Sequence, residues 1–315
     1  MKQRFEHRRK KRKKRRLRIF FTIVTLFFLS IAGYVLFQYY AGKQVTANDK
    51  DIIEPQAKAE FHGQESKVGK TNILLLGVDG RGAIEDSNSD TMIIAQYDPD
   101  KNSVKMVSLM RDMFVRVPGY DGRKKMNSSF LLGGPELTRQ TIKENFGIDI
   151  QYYIMVNFKG FEQAIDTLAP DGIEVNVEKA MSYHIGVNLQ PGLQKLNGKE
   201  LLGYARFRHD IDSDFGRVKR QQKVIKLVSD EVMSANGILK APKLLGEIQP
   251  YIYTNMSSVA ELKFVKDFLL HRPSVTDTMS LPVEDGYVND YDEVFHDILR
   301  IDDQKNRDAI NQFLN

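Results

Sequence analysis

The sequence predicts an α/β layered domain, with a central mixed β-sheet flanked by helices on both faces, preceded by one transmembrane helix. Three observations predict it. An uncharged apolar stretch lies near the N-terminus, a strand-length apolar run ends in glycine at residues 71–78, and strand-like and helix-like segments alternate from there on. A chain of 315 residues that is 42% hydrophobic and 28% charged buries a sizeable core, so disorder is not the default. Cysteine is absent. Disulfides, thiolate zinc ligation and a cysteine nucleophile are therefore excluded, and function rests on oxygen and nitrogen side chains.

The elements follow in order. Residues 1–18 hold 12 Lys/Arg and one acid, Glu6, a local charge of +11 that leaves −6 (5 − 11) for the rest. An acidic body behind a basic tail lacks the basic face of a duplex-binding domain, so no nucleic-acid partner is expected. From Ile19 to Tyr40 the chain carries no formal charge, and 22 helical residues reach about 33 Å, the thickness of a hydrocarbon core. Arg15, Arg16 and Arg18 flank one end, and Tyr39 and Tyr40 stand at the other as interfacial aromatics do. The positive-inside bias then places residues 1–18 in the cytoplasm and the bulk of the chain outside the cell membrane, single-pass. The alternative is a cleaved signal peptide, for which Val45-Thr46-Ala47 is the one weak cleavage candidate.

Residues 41–70 read as a polar juxtamembrane spacer, and 71–315 as one extracytoplasmic domain. TNILLLGV reads as a strand buried on both faces, and TMIIAQY and SVKMVSLM as a hairpin closed by Asp98-Pro99-Asp100-Lys101-Asn102. Three strands thus precede the first helix, expected from Pro135 to Phe146 before Gly147. QYYIMVN reads as a strand, FKGFEQAIDTLA as a helix and GIEVNV as a strand. Helices are expected in LNGKELLGYARF, from Phe215 to about Ser234, and in SVAELKFVKDFLLH and DDQKNRDAINQFL.

Nucleotide fingerprints are missing, since Gly77, Gly80 and Gly82 have the wrong spacing, and there is no serine-hydrolase elbow or zinc-protease helix. Two polar groups remain. Asp79 ends a buried strand and Asp90 opens the next, a placement that suits Mg²⁺ with water and phosphate completing its shell. On spacing alone, turn and capping roles are the favoured reading of the two acids. Arg111 and Asp112 follow the third strand as a local ion pair, and Lys125 reads as an ordinary solvated lysine.

The second group is concentrated around one helix entrance. If Tyr204 to His209 is extended, Arg206 and Arg208 leave the same face. Arg217, Arg220 and Gln221 share one face of the next helix, behind Asp214 as its N-cap. Guanidinium groups beside helix-end N–H donors form a site for an anion, and four arginines there in an acidic domain point to a phosphorylated ligand. His209 receives no role.

In this order, LLLGVD, SDTM, SLMRD, KMNSS, YARFRHD and DFGRVKRQQ resemble the LytR-CpsA-Psr family of cell-wall proteins. The likeness runs from Thr71 to about Ser234 and includes the tail and anchor; from Asn236 on, no motif contributes. The resemblance implies a phosphotransferase that moves an anionic glycopolymer, wall teichoic acid or capsular polysaccharide, from an undecaprenyl diphosphate carrier to the muramic acid 6-hydroxyl of peptidoglycan. Mg²⁺ or Mn²⁺ assists. By the same resemblance Asp79 and Arg111 are catalytic, Asp79, Asp90 and Asp214 metal-associated, and Lys125, Arg206, Arg208, Arg217, Arg220 and Gln221 diphosphate-binding. Two other readings stay open: a polyprenyl-diphosphate-binding protein without turnover, and an envelope-linked regulator. An Arg217→Ala change is expected to remove transfer and leave folding intact.

Overall fold

The computed structural model describes residues 2–46, 60–66, 69–79, 89–209 and 213–315. Ala47, most of the expected spacer, Gly80, Gly82 and Asp210 lie outside them, as do the side chains of Arg15 and Arg16. Helix α1 (Lys2–Thr46) contains the expected span, and Leu17–Thr46 is the one described helix long and apolar enough to cross a membrane. It outruns the expected boundary at Tyr40. Its last turns pack on α6 (Ala235–Ile248), so residues 41–46 are not spacer but part of a helix crossing. Residues 60–66 are likewise bound to the domain: the Gln64 N–H donates to the Ile150 carbonyl at 2.8 Å, and the Phe61 ring lies 4.9 Å from that of Tyr153.

The main sheet has six strands in the order β10-β3-β2-β1-β6-β9. Strand β1 (Thr71–Val78) sits near its centre, antiparallel to β2 (Ser89–Asp98) and parallel to β6 (Tyr152–Asn157). β3 (Ser103–Leu109) closes the expected hairpin on β2, where Asp98 Oδ1 accepts the N–H groups of Asp100 and Lys101 and Asn102 takes φ 50°. β9 (Ile252–Thr254) and β10 (Ser274–Leu281) form the two edges, the latter parallel to β3. The sheet is mixed, as expected.

Two short strands, β4 (Met113–Arg116) and β5 (Arg123–Lys125), precede α2 (Ser128–Phe146), so five strands and not three come before the first helix of the domain. Four- and three-residue strands are too short to show a period. They join β11 (Tyr287–Asp292) and β12 (His296–Ile301) in a second sheet of order β11-β12-β4-β5. Helix α2 begins seven residues before Pro135 and breaks at Gly133 and Gly134, with Pro135 opening its second half. α3 (Phe158–Leu168), β7 (Ile173–Val177), α4 (Gly198–Arg206) and α5 (Ser213–Met233) follow the sequence reading, and β8 (Gly192–Leu196) pairs with β7. α7 (Ser258–His271) and α8 (Asp303–Leu314) complete the chain.

Strand alternation divides the core. On β1, Leu74, Leu76 and Val78 enter one apolar cluster with Ile142 and Phe146 of α2 and Ile310 of α8. A second cluster joins α3, α4 and α5 to β7 and β8 through Ile165, Leu201, Tyr204, Val224 and Val175. Between them, residues of the other parity, Leu75 and Gly77 on β1, Ile93 on β2, and Ile154 and Val156 on β6, line a cavity. The strand that reads as buried on both faces has core on one side and the cavity wall on the other.

Candidate functional site

The cavity has a volume of about 830 Å³. Its apolar wall adds Phe158 and Phe161 of α3, Leu202 of α4 and Val224 of α5 to the strand residues. Its polar wall gathers side chains from separate elements. Asp90 stands at the start of β2, Arg111 and Asp112 in the turn after β3, Lys125 at the end of β5, and Asp214, Arg217 and Gln221 in the first turns of α5.

Ion pairs knit this wall together. Arg111 NH1 lies 3.2 Å from Asp90 Oδ1, and its Nε lies 3.4 Å from Asp112 and 4.0 Å from Asp214. Asp112 also accepts Lys125 Nζ at 2.8 Å. Asp214 binds Arg217 NH2 at 2.7 Å, one turn along α5. Burial opposes the charge on Arg111, but Asp112, Asp214 and Asp90 together lift its proton affinity above that of an ordinary guanidinium. Burial pushes the Asp214 carboxyl up and the Arg217 guanidinium down.

Two atoms of this pair are buried with no hydrogen-bond partner among the described residues: Asp214 Oδ2 and Arg217 Nε. Buried polar groups in folded proteins are almost always satisfied, so an unpaired acceptor beside an unpaired donor marks a place where a ligand completes the structure. A phosphate oxygen suits Arg217 Nε, and a cation suits Asp214 Oδ2. Among the described residues no group of three or more His, Cys, Asp and Glu comes close enough to hold a metal. Asp90 and Asp214, which meet on one guanidinium, fit a divalent ion that takes one or two protein carboxylates and fills its shell with water and phosphate.

The structure brings Arg111, Lys125, Arg206, Arg208, Arg217, Gln221, Asp90 and Asp214 to the one cavity. It does not do so for Asp79 and Arg220. Asp79 follows β1 with the parity of Leu75 and Gly77 but is not part of the wall. Arg220 turns inward, donating to the Phe207 carbonyl with its guanidinium over the Phe207 ring, and anchors the segment that carries Arg208. The basis for pairing Arg206 with Arg208 also changes. Arg206 is in the last turn of α4 and stacks 4.5 Å above Phe158, while Arg208 follows the extended helix cap at Phe207, so the two reach the cavity from a helix end and the residues just after it and not from one strand.

Gln221 is held by Thr91, whose hydroxyl accepts its Nε2 at 2.9 Å. Thr91 lies in the SDTM segment, a signal present in the sequence but not legible as a contact. Tyr183, His184, the turn residue Phe295, and His296 and Asp297 at the start of β12 also line the cavity. No spacing pattern points to them, since they come from loops and from the final third of the chain.

Fold and site together define a class: an α/β domain on an N-terminal apolar helix, with an arginine-rich pocket opening onto an apolar channel. Residues 36–310 match the LytR_cpsA_psr family, and the chain belongs to it. Over 282 residues it is 39% identical to Regulatory protein MsrR of Staphylococcus aureus, covering 89% of this chain and 84% of that one. It is 31% identical to the polyisoprenyl-teichoic acid–peptidoglycan teichoic acid transferase TagU of Bacillus subtilis, over 79% of this chain and 80% of the relative. The crystal structure of protein gbs0355 from Streptococcus agalactiae superposes with a TM-score of 0.67 at 25% identity, covering 78% of this chain and 88% of that one.

Proposed function

We propose that this protein transfers an anionic cell-wall glycopolymer from a polyprenyl diphosphate, undecaprenyl diphosphate in the first instance, to the muramic acid 6-hydroxyl of peptidoglycan. The observation that carries this reading is one cavity lined both by an apolar wall and by guanidinium groups. That combination matches a ligand with a long hydrocarbon tail and a diphosphate head. The similarity to the TagU transferase supports the reaction class.

In the reaction the acceptor oxygen bonds to the phosphorus attached to the first sugar of the polymer. The bond from that phosphorus to the bridging oxygen breaks, polyprenyl phosphate leaves, and the hydroxyl proton passes to a carboxylate of the wall. Arg111, Arg217 and Lys125 stabilise the charge on the diphosphate oxygens, the main source of rate in phosphoryl transfer. Gln221, fixed by Thr91, and Arg206 and Arg208 orient the head group. Asp90 and Asp214, with Asp79 at the adjoining strand end, would hold Mg²⁺ or Mn²⁺, which supplies Lewis-acid neutralisation of the diphosphate. The domain works outside the membrane, with the basic tail in the cytoplasm.

A second reading is favoured by the name of the MsrR relatives: a regulator of envelope state that captures the same lipid. The test mixes the purified full chain with lipid-linked polymer, peptidoglycan oligomer and Mg²⁺. Ligated product supports the transferase. Tight lipid binding with no ligated product sinks it and leaves the second reading standing.

A further inference from the structure

The cavity lining comes from two sheets. The first sheet with α3, α4 and α5 supplies its apolar residues together with Asp90, Arg206, Asp214 and Arg217; the second sheet contributes Lys125 from β5 and Phe295, His296 and Asp297 at the entry to β12. The ion pairs Asp90–Arg111, Arg111–Asp112 and Asp112–Lys125 lead across the polar wall from the first sheet to the second. Displacement at phosphorus brings the nucleophile in from the side opposite the leaving oxygen. With the departing lipid phosphate held against the apolar lining, the side of the cavity bounded by the second sheet is open to the acceptor.

Beside the lining residue Phe295, outside the cavity lining itself, the side chains suit a saccharide. Lys124 of β5 lies over two ring faces, 5.4 Å from the Tyr120 centroid and 5.6 Å from that of Phe295. Its strand neighbours have carboxylate partners, Arg123 with Asp303 at 2.6 Å and Lys125 with Asp112 at 2.8 Å. Among the described residues Lys124 has none, and it is therefore the cation of β5 available to an incoming anion. His296 lines the cavity with its backbone at φ 60° and its Nδ1 3.1 Å from the Tyr291 hydroxyl. The hydrogen bond fixes the ring, and Tyr291 itself is 63% exposed.

We propose that Tyr120, Lys124, Phe295 and His296 form the acceptor subsite, a platform for a saccharide that carries carboxylate groups. Aromatic faces pack on the apolar faces of sugar rings, Lys124 pairs with a carboxylate, and His296 hydrogen-bonds a hydroxyl beside the diphosphate. The proposal rests on the transferase reading and assigns it the site of its second substrate.

Two measurements on the full chain in detergent micelles test it: the affinity for a soluble peptidoglycan oligomer, and the affinity for polyprenyl diphosphate. Lys124→Ala and His296→Ala are each expected to weaken oligomer binding about tenfold, the loss of one polar contact, and to raise the half-saturating acceptor concentration in parallel. Lipid affinity stays within about twofold, and Lys124→Arg restores most of the loss. Unchanged oligomer affinity in both variants overturns the proposal. So does a parallel fall in lipid affinity, which assigns the platform to the donor's own polymer. Wild-type protein that binds both partners but ligates nothing refutes the transferase reading alone, because oligomer binding still reports on the platform.

Discussion

At the scale of single residues the site is built from strained economies of charge. Arg217 is only 4% exposed and answers Asp214, whose second oxygen has no partner, so neither group is a surface charge that can be deleted quietly. Arg217→Ala is expected to lower transfer by roughly 100- to 1,000-fold, the usual effect of removing one transition-state donor. It is also expected to destabilise the fold by up to about 3–5 kcal/mol, because it strands the Asp214 carboxylate in a buried place. The sequence alone leads instead to the expectation that folding is untouched, and the difference lies in the burial of the pair. Turnover assays together with thermal melting check both parts; an unshifted melting temperature would show that the pair contributes nothing to stability. Arg220, by contrast, belongs to the architecture, since it clamps Phe207 and so places Arg208.

At the scale of elements, one contact sets the position of the wall and a second ties the chain before β1 to α2. A Cβ on Gly77 of β1 would meet Thr91 Cβ at 3.0 Å and Oγ1 at 3.2 Å, and that hydroxyl is the one that holds Gln221. Gly77→Ala is expected to cost about 1–3 kcal/mol through overpacking and to weaken lipid diphosphate binding. Full affinity with wild-type stability would show that β1 and β2 can spread freely here. The second contact joins the segment before β1 to α2. Glu136 accepts both Arg139 nitrogens, at 2.6 and 2.9 Å, and the His62 N–H at 2.9 Å. Burial works against its charge, but these bonds hold its pKa down at about 2. A carboxylate depressed in the folded state contributes stability above its ordinary value of 4.5 and loses it as pH falls from there toward 2. Glu136→Gln is therefore expected to flatten the acid limb of a denaturation curve between those limits. An acid limb of unchanged steepness would mean that other carboxylates set it.

At the scale of the whole molecule, the apolar N-terminal helix is docked against the domain. A Cβ on Gly42 would strike the Lys243 carbonyl, and one on Gly246 the Tyr39 carbonyl, so α1 and α6 cross at backbone contact. The Tyr39 hydroxyl donates to Gln249 Oε1 at 2.9 Å. Buried Glu247 of α6 then accepts Thr167 of α3, the helix whose Phe158 and Phe161 line the cavity. The apolar N-terminal helix is thus connected to the cavity wall through two helix contacts. Gly246→Leu is expected to lower transfer from a bilayer-embedded donor by roughly tenfold while sparing a short-chain soluble donor, because misplacement of a substrate by an ångström or so is that costly. Equal loss with both donors would mean that the change acts on the fold and not on access to the membrane.

Local pattern and chemistry are enough to determine much of this protein. The apolar run of 22 residues, the buried strand TNILLLGV, the Asp98 turn and the amphipathic helices are short-range features, because each is decided by hydrogen bonds and burial within a few residues. The same is true of Asp214, Arg217 and Gln221, three neighbours on one helical face. Tertiary structure alone decided the rest. It turned Arg220 inward, brought Asp90 and Asp214 onto one guanidinium in the cavity wall, gave Gln221 its partner Thr91, and carried Phe295, His296 and Asp297 to the wall. These are contacts between residues up to 130 positions apart in the case of Gln221 and Thr91, and no period in a single sequence encodes which loop will close over which strand.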